Sequence, residues 1–355
     1  MSKRVIVGMS GGVDSAVAAL LLKEAGDEVI GVTLRTWESS EDGEKSRCCE
    51  IDDARDTARQ LGIAYHVFNC LSDFRRHVVS PFVNAYLHGL TPNPCVNCNR
   101  FVKWERMMYY ANILGADSIA TGHYASVVRL GNGRYTLQKA DYVQKDQTYM
   151  LWRLTQEQLS RTLMPLGRLT KQEVRSLAEQ AGLPVADKPD SQEICFVPDG
   201  SYADFIAAHA EHNKPHEGNF VDEQGKFLGR HKGVIHYTVG QRKGLGIALG
   251  EPVYVSEIRA DSNEVVLGKA DSLLKDEIFC RKLNFMRIAD LPLGKSIRAN
   301  IKIRYHDGGC NGTITRTGVD TVSISFDGKV RAPAPGQSAV FYDASGCILG
   351  GGEIF

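Results

Sequence analysis

The 355-residue sequence has no hydrophobic run long enough to span a bilayer, which excludes a membrane-embedded helix. Its N-terminus lacks the apolar stretch and small-residue cleavage site of a secretory signal. A cytoplasmic location and no membrane partner are therefore expected. Net charge is also missing, because 42 Lys plus Arg balance 42 Asp plus Glu. That excludes a generally basic nucleic-acid coat and leaves only a local basic face. The nine cysteines do not form an even set, and in a cytosolic chain they point to catalysis, metal binding or inert burial rather than a disulfide framework. No second C-x-x-C completes a zinc site around Cys95 and Cys98. No internal repeat or low-complexity tract is present. The length and apolar content allow two or three domains with real cores.

The strongest positive signal is Ser10-Gly11-Gly12-Val13-Asp14-Ser15, directly behind the apolar run Val5-Ile6-Val7. A strand that enters a Ser/Gly turn and then an Ala/Leu-rich helix builds a phosphate pocket. Glycines let backbone N–H groups approach an anion, and the helix N-terminus adds its dipole. The loop has no lysine, and its spacing is not that of a Walker A loop. It resembles the pyrophosphatase loop of ATP enzymes that split between the α and β phosphates, which adenylate a carbonyl oxygen and release pyrophosphate.

The first third of the chain alternates strand and helix. Strands are expected at Val5 to Gly8, Glu28 to Leu34, Ala64 to Phe68 and Ser118 to Thr121. Helices are expected at Ser15 to Ala25, Asp52 to Leu61 and Val102 to Leu114, with a polar loop from Ser39 to Ser46. Such alternation predicts a doubly wound parallel sheet with ligands at the C-terminal ends of its strands. Thr170-Lys171-Gln172-Glu173 is a capping box that starts a further helix, ending near Gly182 and Pro184. After a short helical stretch at Tyr202 to His209, the pattern turns to Gly-rich, strand-like segments. From Ile278 to Phe355, alternating runs such as Ser296 to Tyr305 and Thr321 to Phe326 predict a small β-barrel.

Four further motifs carry chemistry. Thr121-Gly122-His123-Tyr124-Ala125 ends the fourth strand, where a doubly wound sheet meets its nucleotide, and Gly122 would admit an adenine or ribose. His123 taken alone fits packing as well as function. Pro92-Asn93-Pro94-Cys95-Val96-Asn97-Cys98-Asn99 is a stiffened loop ahead of a helix. Its C-x-x-C has three readings: a redox pair, half a zinc site, or iron–sulfur ligands. Asp190-Ser191-Gln192-Glu193-Ile194-Cys195-Phe196 adds a thiol that would pair with one of these across a cleft. Gly233 to Ala248, including Tyr237-Thr238-Val239-Gly240-Gln241-Arg242-Lys243-Gly244, reads as either a phosphate-contacting loop or a connector.

In this order, the motifs resemble the tRNA-specific 2-thiouridylase family, bacterial enzymes that thiolate the wobble uridine. The resemblance spans essentially the whole chain. It includes Gly8 to Ser15, Pro92 to Asn99, Thr121 to Ala125, Lys145-Asp146-Gln147-Thr148-Tyr149, Asp190 to Phe196, Thr238 to Gly246 and Lys302-Ile303-Arg304-Tyr305. It implies a PP-loop domain of the adenine nucleotide alpha-hydrolase-like type over 1–200. A central linker domain over 201–275 and a tRNA-binding β-barrel over 276–355 would follow.

The resemblance also implies site roles. ATP would bind Gly8, Met9, Ser10, Gly11, Gly12, Val13, Asp14, Ser15, Leu34 and Gly122, with Asp14 orienting Mg²⁺ or pyrophosphate. Cys98 corresponds to the nucleophile and Cys195 to the persulfide carrier, with a disulfide between them to be reduced after each turnover. Asn93, Pro94 and Cys95 would line the pocket of a flipped-out uridine. His123, Lys145, Asp146, Gln147, Arg304, Tyr305 and Gln337 match tRNA-contacting positions. Without the family match, Leu34 and Tyr305 read as core residues and Lys145 as a solvated lysine. The implied partners are tRNA, with those for Lys, Glu and Gln as substrates, and a cysteine desulfurase or sulfur-relay protein.

One departure stands out: many family members carry Asp where this chain has Cys95. Cys95, Cys98 and Cys195 thus form a three-thiolate set that would suit a [4Fe–4S] cluster with one open iron, an alternative route for sulfur. Cys48 and Cys49 match a family pattern of unclear role. Cys70, Cys280, Cys310 and Cys347 read as apolar fillers. The rival enzyme class, a small-molecule adenylating ligase, explains the Ser-Gly-Gly loop but neither the paired cysteines nor the barrel. A non-catalytic tRNA-binding or iron–sulfur scaffold leaves the loop without a purpose.

Overall fold

The computed structural model describes residues 2–37, 51–189, 194–197, 202–210 and 215–355. Cys48 and Cys49, the loop at Ser39 to Ser46, and Asp190 to Glu193 lie outside the described residues. Two compact units form. One draws on Met1–Val78, Cys95–Pro198 and Ser345–Ile348, the other on Val79–Pro94, Asp199–Ala344 and Leu349–Phe355.

The first unit is a five-stranded parallel sheet. Its strands are β1 (Arg4–Gly8), β2 (Glu28–Arg35), β3 (Ala64–Asn69), β4 (Ser118–Ala120) and, after a β5–β6 hairpin (Ala125–Arg129, Tyr135–Lys139), β7 (Thr162–Leu163). The order is β3-β2-β1-β4-β7 with every pair parallel. The continuous apolar runs of β1 and β2 are covered on both faces, as parallel strands require, whereas edge strand β3 is largely exposed. The order reverses between β1 and β4, so the loops leaving these two strands flank the crevice where such sheets bind ligands.

Helix α1 (Val13–Glu24) has little amphipathic character, because Ala16 to Leu20 are all buried against the sheet and neighbouring helices. Helix α2 (Ile51–Leu61) follows β2. After β3 the chain runs through α3 (Leu71–Phe74), a π-helical turn (Arg75–Val79) and α4 (Ser80–Leu87). A second helical run passes from α5 (Pro94–Asn97) through a π-helical segment (Cys98–Lys103) into α6 (Trp104–Ile113). The helix expected over Val102 to Leu114 is therefore present but begins earlier. Its first turns are wound too widely for a 3.6-residue periodicity to detect. The β5–β6 hairpin also went unread, although Leu130 to Arg134 contains Asn132-Gly133, the dipeptide that marks tight hairpin turns, and Gly133 takes a φ of 82°. Helices α7 (Gln156–Ser160) and α8 (Lys171–Gln180) each open on a complete capping box, that of α8 formed by Thr170 and Glu173. Val174 and Ala178 of α8 join the same core as Ala16 to Leu20 of α1.

In the second unit, α4 meets α9 (Tyr202–His209) through edge-on Phe82–Phe205 and tilted Tyr86–Tyr202 contacts. A four-stranded sheet of order β10-β11-β8-β9 comprises β8 (Gly218–Val221), β9 (Phe227–His231), β10 (Tyr254–Arg259) and β11 (Glu264–Gly268). Beyond it, β12 (Leu274–Phe285), β13 (Ser296–Lys302), β14 (Cys310–Gly318), β15 (Thr321–Arg331), β16 (Ser338–Tyr342) and β17 (Ile348–Ile354) close a barrel of order β12-β15-β14-β13-β16-β17. Val322, Ile324 and Phe326 alternate into its core opposite Ile301 and Ile314, the two-residue period that marked these runs as strands. No helix among the described residues is long and apolar enough to cross a membrane.

Candidate active site

The loop after β1 is held from both sides. Met9 N–H donates to the Val32 carbonyl (2.8 Å), and Thr33 Oγ1 donates to the Met9 carbonyl (2.7 Å) while accepting from Tyr65 Oη (2.7 Å). Gly11 takes a φ of 74°, a conformation that favours glycine, and Gly12 caps α1 in an extended conformation. Ser15 Oγ donates to the Gly12 carbonyl (2.9 Å) and accepts from Ser10 N–H (3.1 Å), with Ser10 Oγ 3.3 Å away. The two serines therefore staple the ends of the turn together. The first N–H groups of α1 have no acceptor within the helix and face the turn.

The loop after β4 packs directly on this turn. A Cβ on Gly122 would lie 2.6 Å from the Asp14 carbonyl carbon and 2.7 Å from Ser15 N. A side chain at Gly122 would therefore collide with the backbone of the turn after β1. Tyr124 Oη donates to Asp14 Oδ1 (2.8 Å), and Lys171 Nζ reaches the same oxygen (2.6 Å). Lys188 Nζ donates to the Gly11 carbonyl (3.1 Å) and pairs with Asp53 Oδ2 (2.7 Å). Sequence reasoning missed both lysines. The capping box set Lys171 at the first position of a helix but carried no sign of which loop that helix meets. Leu34 is buried near the end of β2. Next to Tyr124, His123 Nδ1 lies 2.9 Å from Thr121 Oγ1, and its ring leans on Trp104. Burial, reinforced by Lys103, pushes the His123 pKa down to about 3, so the ring is neutral at physiological pH.

The segment matched to tRNA contact faces inward in part. Asp146 is buried, and its carboxylate accepts from Ala140 N–H, Thr148 N–H and Thr148 Oγ1. Gln147 clasps Tyr124 by two bonds: its Oε1 accepts from Tyr124 N–H, and its own N–H donates to the Tyr124 carbonyl, both at 2.9 Å. Asp146 thus closes its own turn, whereas Gln147 holds the backbone of Tyr124, whose hydroxyl reaches Asp14.

The thiols differ in exposure. Cys95 is exposed and Cys195 half-buried, whereas Cys98 is only 5% exposed at the start of its π-helical turn. Flanking bonds hold that turn: Arg153 Nη1 to Asn97 Oδ1 (2.8 Å) and Asn99 Nδ2 to the Met150 carbonyl (3.1 Å). Cys195 is anchored by its neighbour Phe196, buried against Phe74 (5.5 Å, edge-on) and Trp37 (6.1 Å). No disulfide joins Cys98 to Cys195. Cys95, Cys98 and Cys195 all lie among the described residues, where no three His, Cys, Asp or Glu side chains gather as a metal would require.

In the second unit, the turn before β16 holds the entry to the prolyl loop. Thr91 N–H donates to the Pro335 carbonyl (2.8 Å), Gln337 Nε2 donates to the Thr91 carbonyl (2.9 Å), and Gly336 leaves space for Leu90 and Thr91. Gln337 and the Asn93–Pro94 stretch, far apart in sequence, are thus brought within a few residues of each other. Arg304 donates to the carbonyls of Arg331 and Ala332, and Tyr305 lies edge-on to His306. In Gly233 to Ala248, Gly240 N–H is tied to the Val255 carbonyl of β10 (2.8 Å), leaving Arg242 and Lys243 exposed.

Three family models match the chain: a tRNA methyl transferase HUP domain over residues 3–199, a tRNA methyl transferase PRC-barrel domain over 203–269, and an aminomethyltransferase beta-barrel domain over 275–354. Among individual proteins, the chain is 51% identical to the tRNA-specific 2-thiouridylase MnmA of Lachnoclostridium phytofermentans, covering 99% of both chains. It is 49% identical to that of Acetivibrio thermocellus, again over 99% of each. A solved 4-thiouridine synthetase–RNA complex with bound ATP is distantly similar, at 18% identity and a TM-score of 0.36 over 55% of this chain and 45% of that one. At half identity over its whole length, the chain belongs to the family of tRNA-specific 2-thiouridylases.

Proposed function

We propose that this protein catalyses the ATP-dependent 2-thiolation of the wobble uridine of tRNA, with the Lys, Glu and Gln tRNAs as substrates in the cytoplasm. The observation that carries this is the 51% identity, across 99% of both chains, to a tRNA-specific 2-thiouridylase. Residues 1–200 would form the catalytic domain, 201–275 the linker domain and 276–355 the tRNA-binding barrel. The C2 carbonyl of uracil is a poor electrophile, which is why ATP is needed. Uridine O2 attacks the α phosphate; the O2–P bond forms as the P–O bond to the β phosphate breaks, and pyrophosphate leaves with the electron pair.

Sulfur arrives as a persulfide on Cys195, supplied by a cysteine desulfurase directly or through a relay protein. The Cys98 thiolate attacks Cys195 Sγ, releasing the outer sulfur as hydrosulfide and forming the Cys98–Cys195 disulfide. Hydrosulfide adds to C2, the C2–O bond breaks, and AMP leaves with the former uridine oxygen. An external dithiol then donates two electrons and two protons to restore both cysteines. Ser10 to Ser15 would hold the phosphates, with Leu34 and Gly122 beside the nucleoside and the Asp14 carboxylate facing Mg²⁺. Asn93, Pro94 and Cys95 would receive the flipped base. His123, Lys145, Arg304, Tyr305 and Gln337 would contact the tRNA, with Asp146 and Gln147 shaping the turn beside them.

The test is thiolation of a uridine-containing tRNA transcript with ATP, Mg²⁺ and sulfide, which bypasses persulfide delivery. Wild type and Cys195→Ser should both thiolate with sulfide, Cys195→Ser should fail with a desulfurase as donor, and Cys95→Ser should behave normally. ATP–pyrophosphate exchange should require tRNA. Exchange supported by a small molecule alone, or no thiolation in air or under anaerobic conditions, would refute the assignment.

A further inference from the structure

The phosphate turn has no lysine of its own, yet two ammonium groups lie on it. Lys171 comes from 157 residues beyond Asp14, and Lys188 from 177 residues beyond Gly11. They touch the turn at its second and fifth residues, Gly11 and Asp14. Resting on the ATP site proposed above, we infer that Lys171 and Lys188 bind the β and γ phosphates of ATP and the pyrophosphate that departs.

Three observations argue against ordinary structural ion pairs. First, Lys171 is the first residue of α8, where the helix dipole disfavours a cation. Glu173, the acidic residue of that turn, is already committed to Thr170 N–H and Oγ1 (2.7 and 2.8 Å). A lysine at this position, with its side chain 11% exposed, is a poor choice for stability alone. Second, Lys188 is placed by other residues: Arg175 of α8 donates to the carbonyls of Ala186 (2.8 Å) and Lys188 (3.0 Å) and so fixes the backbone that carries it. Third, backbone N–H groups supply only partial charge. A triphosphate in this turn needs full positive charges nearby, and a lysine ammonium on a flexible stem is a compact donor for phosphate.

Each lysine has a carboxylate partner it can exchange. When phosphate arrives, Lys171 moves from Asp14 to the nucleotide, which releases the Asp14 carboxylate. Lys188 makes the same move from Asp53. As the bond between the α phosphorus and its bridging oxygen breaks, the electron pair passes to pyrophosphate, and the two ammonium groups meet the charge that develops there.

The test is equilibrium binding of magnesium ATP, magnesium pyrophosphate and AMP to wild type, Lys171→Gln and Lys188→Gln. Glutamine keeps most of the stem and removes the charge. Each variant should raise the Kd for ATP and for pyrophosphate at least tenfold and change that for AMP less than twofold. Asp53→Asn retains both lysines and should tighten pyrophosphate binding about threefold, because Lys188 loses its competing partner. Pyrophosphate affinity unchanged in all three variants would overturn the assignment. AMP weakened as much as pyrophosphate would also overturn it, since the lysines would then only hold the shape of the turn. If wild type itself bound no ATP, the ATP reading would fail before any variant was compared.

Discussion

Gly122→Ala tests whether the loops after β1 and β4 form one site. Gly122 does not have a left-handed φ, so the cost of a side chain here is purely spatial. The new Cβ would meet Asp14 C at 2.6 Å, Ser15 N at 2.7 Å and Asp14 O at 2.8 Å, whereas ordinary contact begins at 3.4 Å. The turn must therefore retreat by about 0.8 Å (3.4 − 2.6), and every atom met is backbone that cannot swing away. Overpacking of this kind costs about 1–3 kcal/mol, and a site without flexible neighbours belongs at the upper end. The retreat also moves the two residues whose side chains hold Tyr124, Lys171 and Ser10. Gly229→Ala in β9 is the control, because its Cβ would meet only the Ile247 side chain (3.0 and 3.8 Å), which can rotate away. Thermal unfolding and ATP titration should show Gly122→Ala destabilised and at least tenfold weaker for ATP, with Gly229→Ala within threefold of wild type. A Gly122→Ala protein that melts and binds ATP like wild type would refute this account of the crevice.

Three further outcomes follow from the same geometry. The folded pKa of His123 is about 3 against an ordinary 6.5, so between these values the unfolded chain binds a proton that the folded chain does not. The stability linked to this ring is fully present above pH 6.5 and falls by about 2 kcal/mol between pH 7 and pH 5; His123→Asn should remove that part of the decline in urea midpoints, and an unchanged pH slope would contradict it. Burial first, and then Asp73, push the Cys70 thiol up to about 11, and burial likewise raises Cys280. Iodoacetamide at pH 8 should therefore modify exposed Cys95 quickly and those two only after unfolding, as peptide mass spectrometry would read; early labelling of Cys70 would count against its burial. Gln337→Ala removes the bond to Thr91 at the entry to the prolyl loop, and a loss of about 1 kcal/mol should raise the KM for tRNA about fivefold with ATP affinity unchanged; an equal loss of ATP affinity would disprove that separation.

What was legible in the sequence follows from how local each signal is. The strands β1 and β2, helix α1 and the barrel runs announce themselves by periodicity, and Ser10 to Ser15 by a spacing that only a tight turn before a helix requires. Lys171 and Lys188 gave no such signal, because their part in the site depends on which helix packs against α1. The contact between Gln337 and Thr91 spans 246 residues and depends on barrel closure. Adjacent residues also divide their work in a way that motif matching cannot see. In Lys145-Asp146-Gln147, Asp146 closes its own turn, while Gln147 holds Tyr124, which in turn holds Asp14. Gln147→Ala leaves the Tyr124 N–H without its acceptor, at a cost of about 1–3 kcal/mol. The damage should pass along Tyr124 to the phosphate turn, raising the Kd for ATP even without tRNA. Lys145→Ala should instead leave ATP binding intact and lower the salt slope of tRNA binding by about 1. If the two variants showed the reverse pattern, Gln147 would be an RNA contact and not part of the support for Asp14.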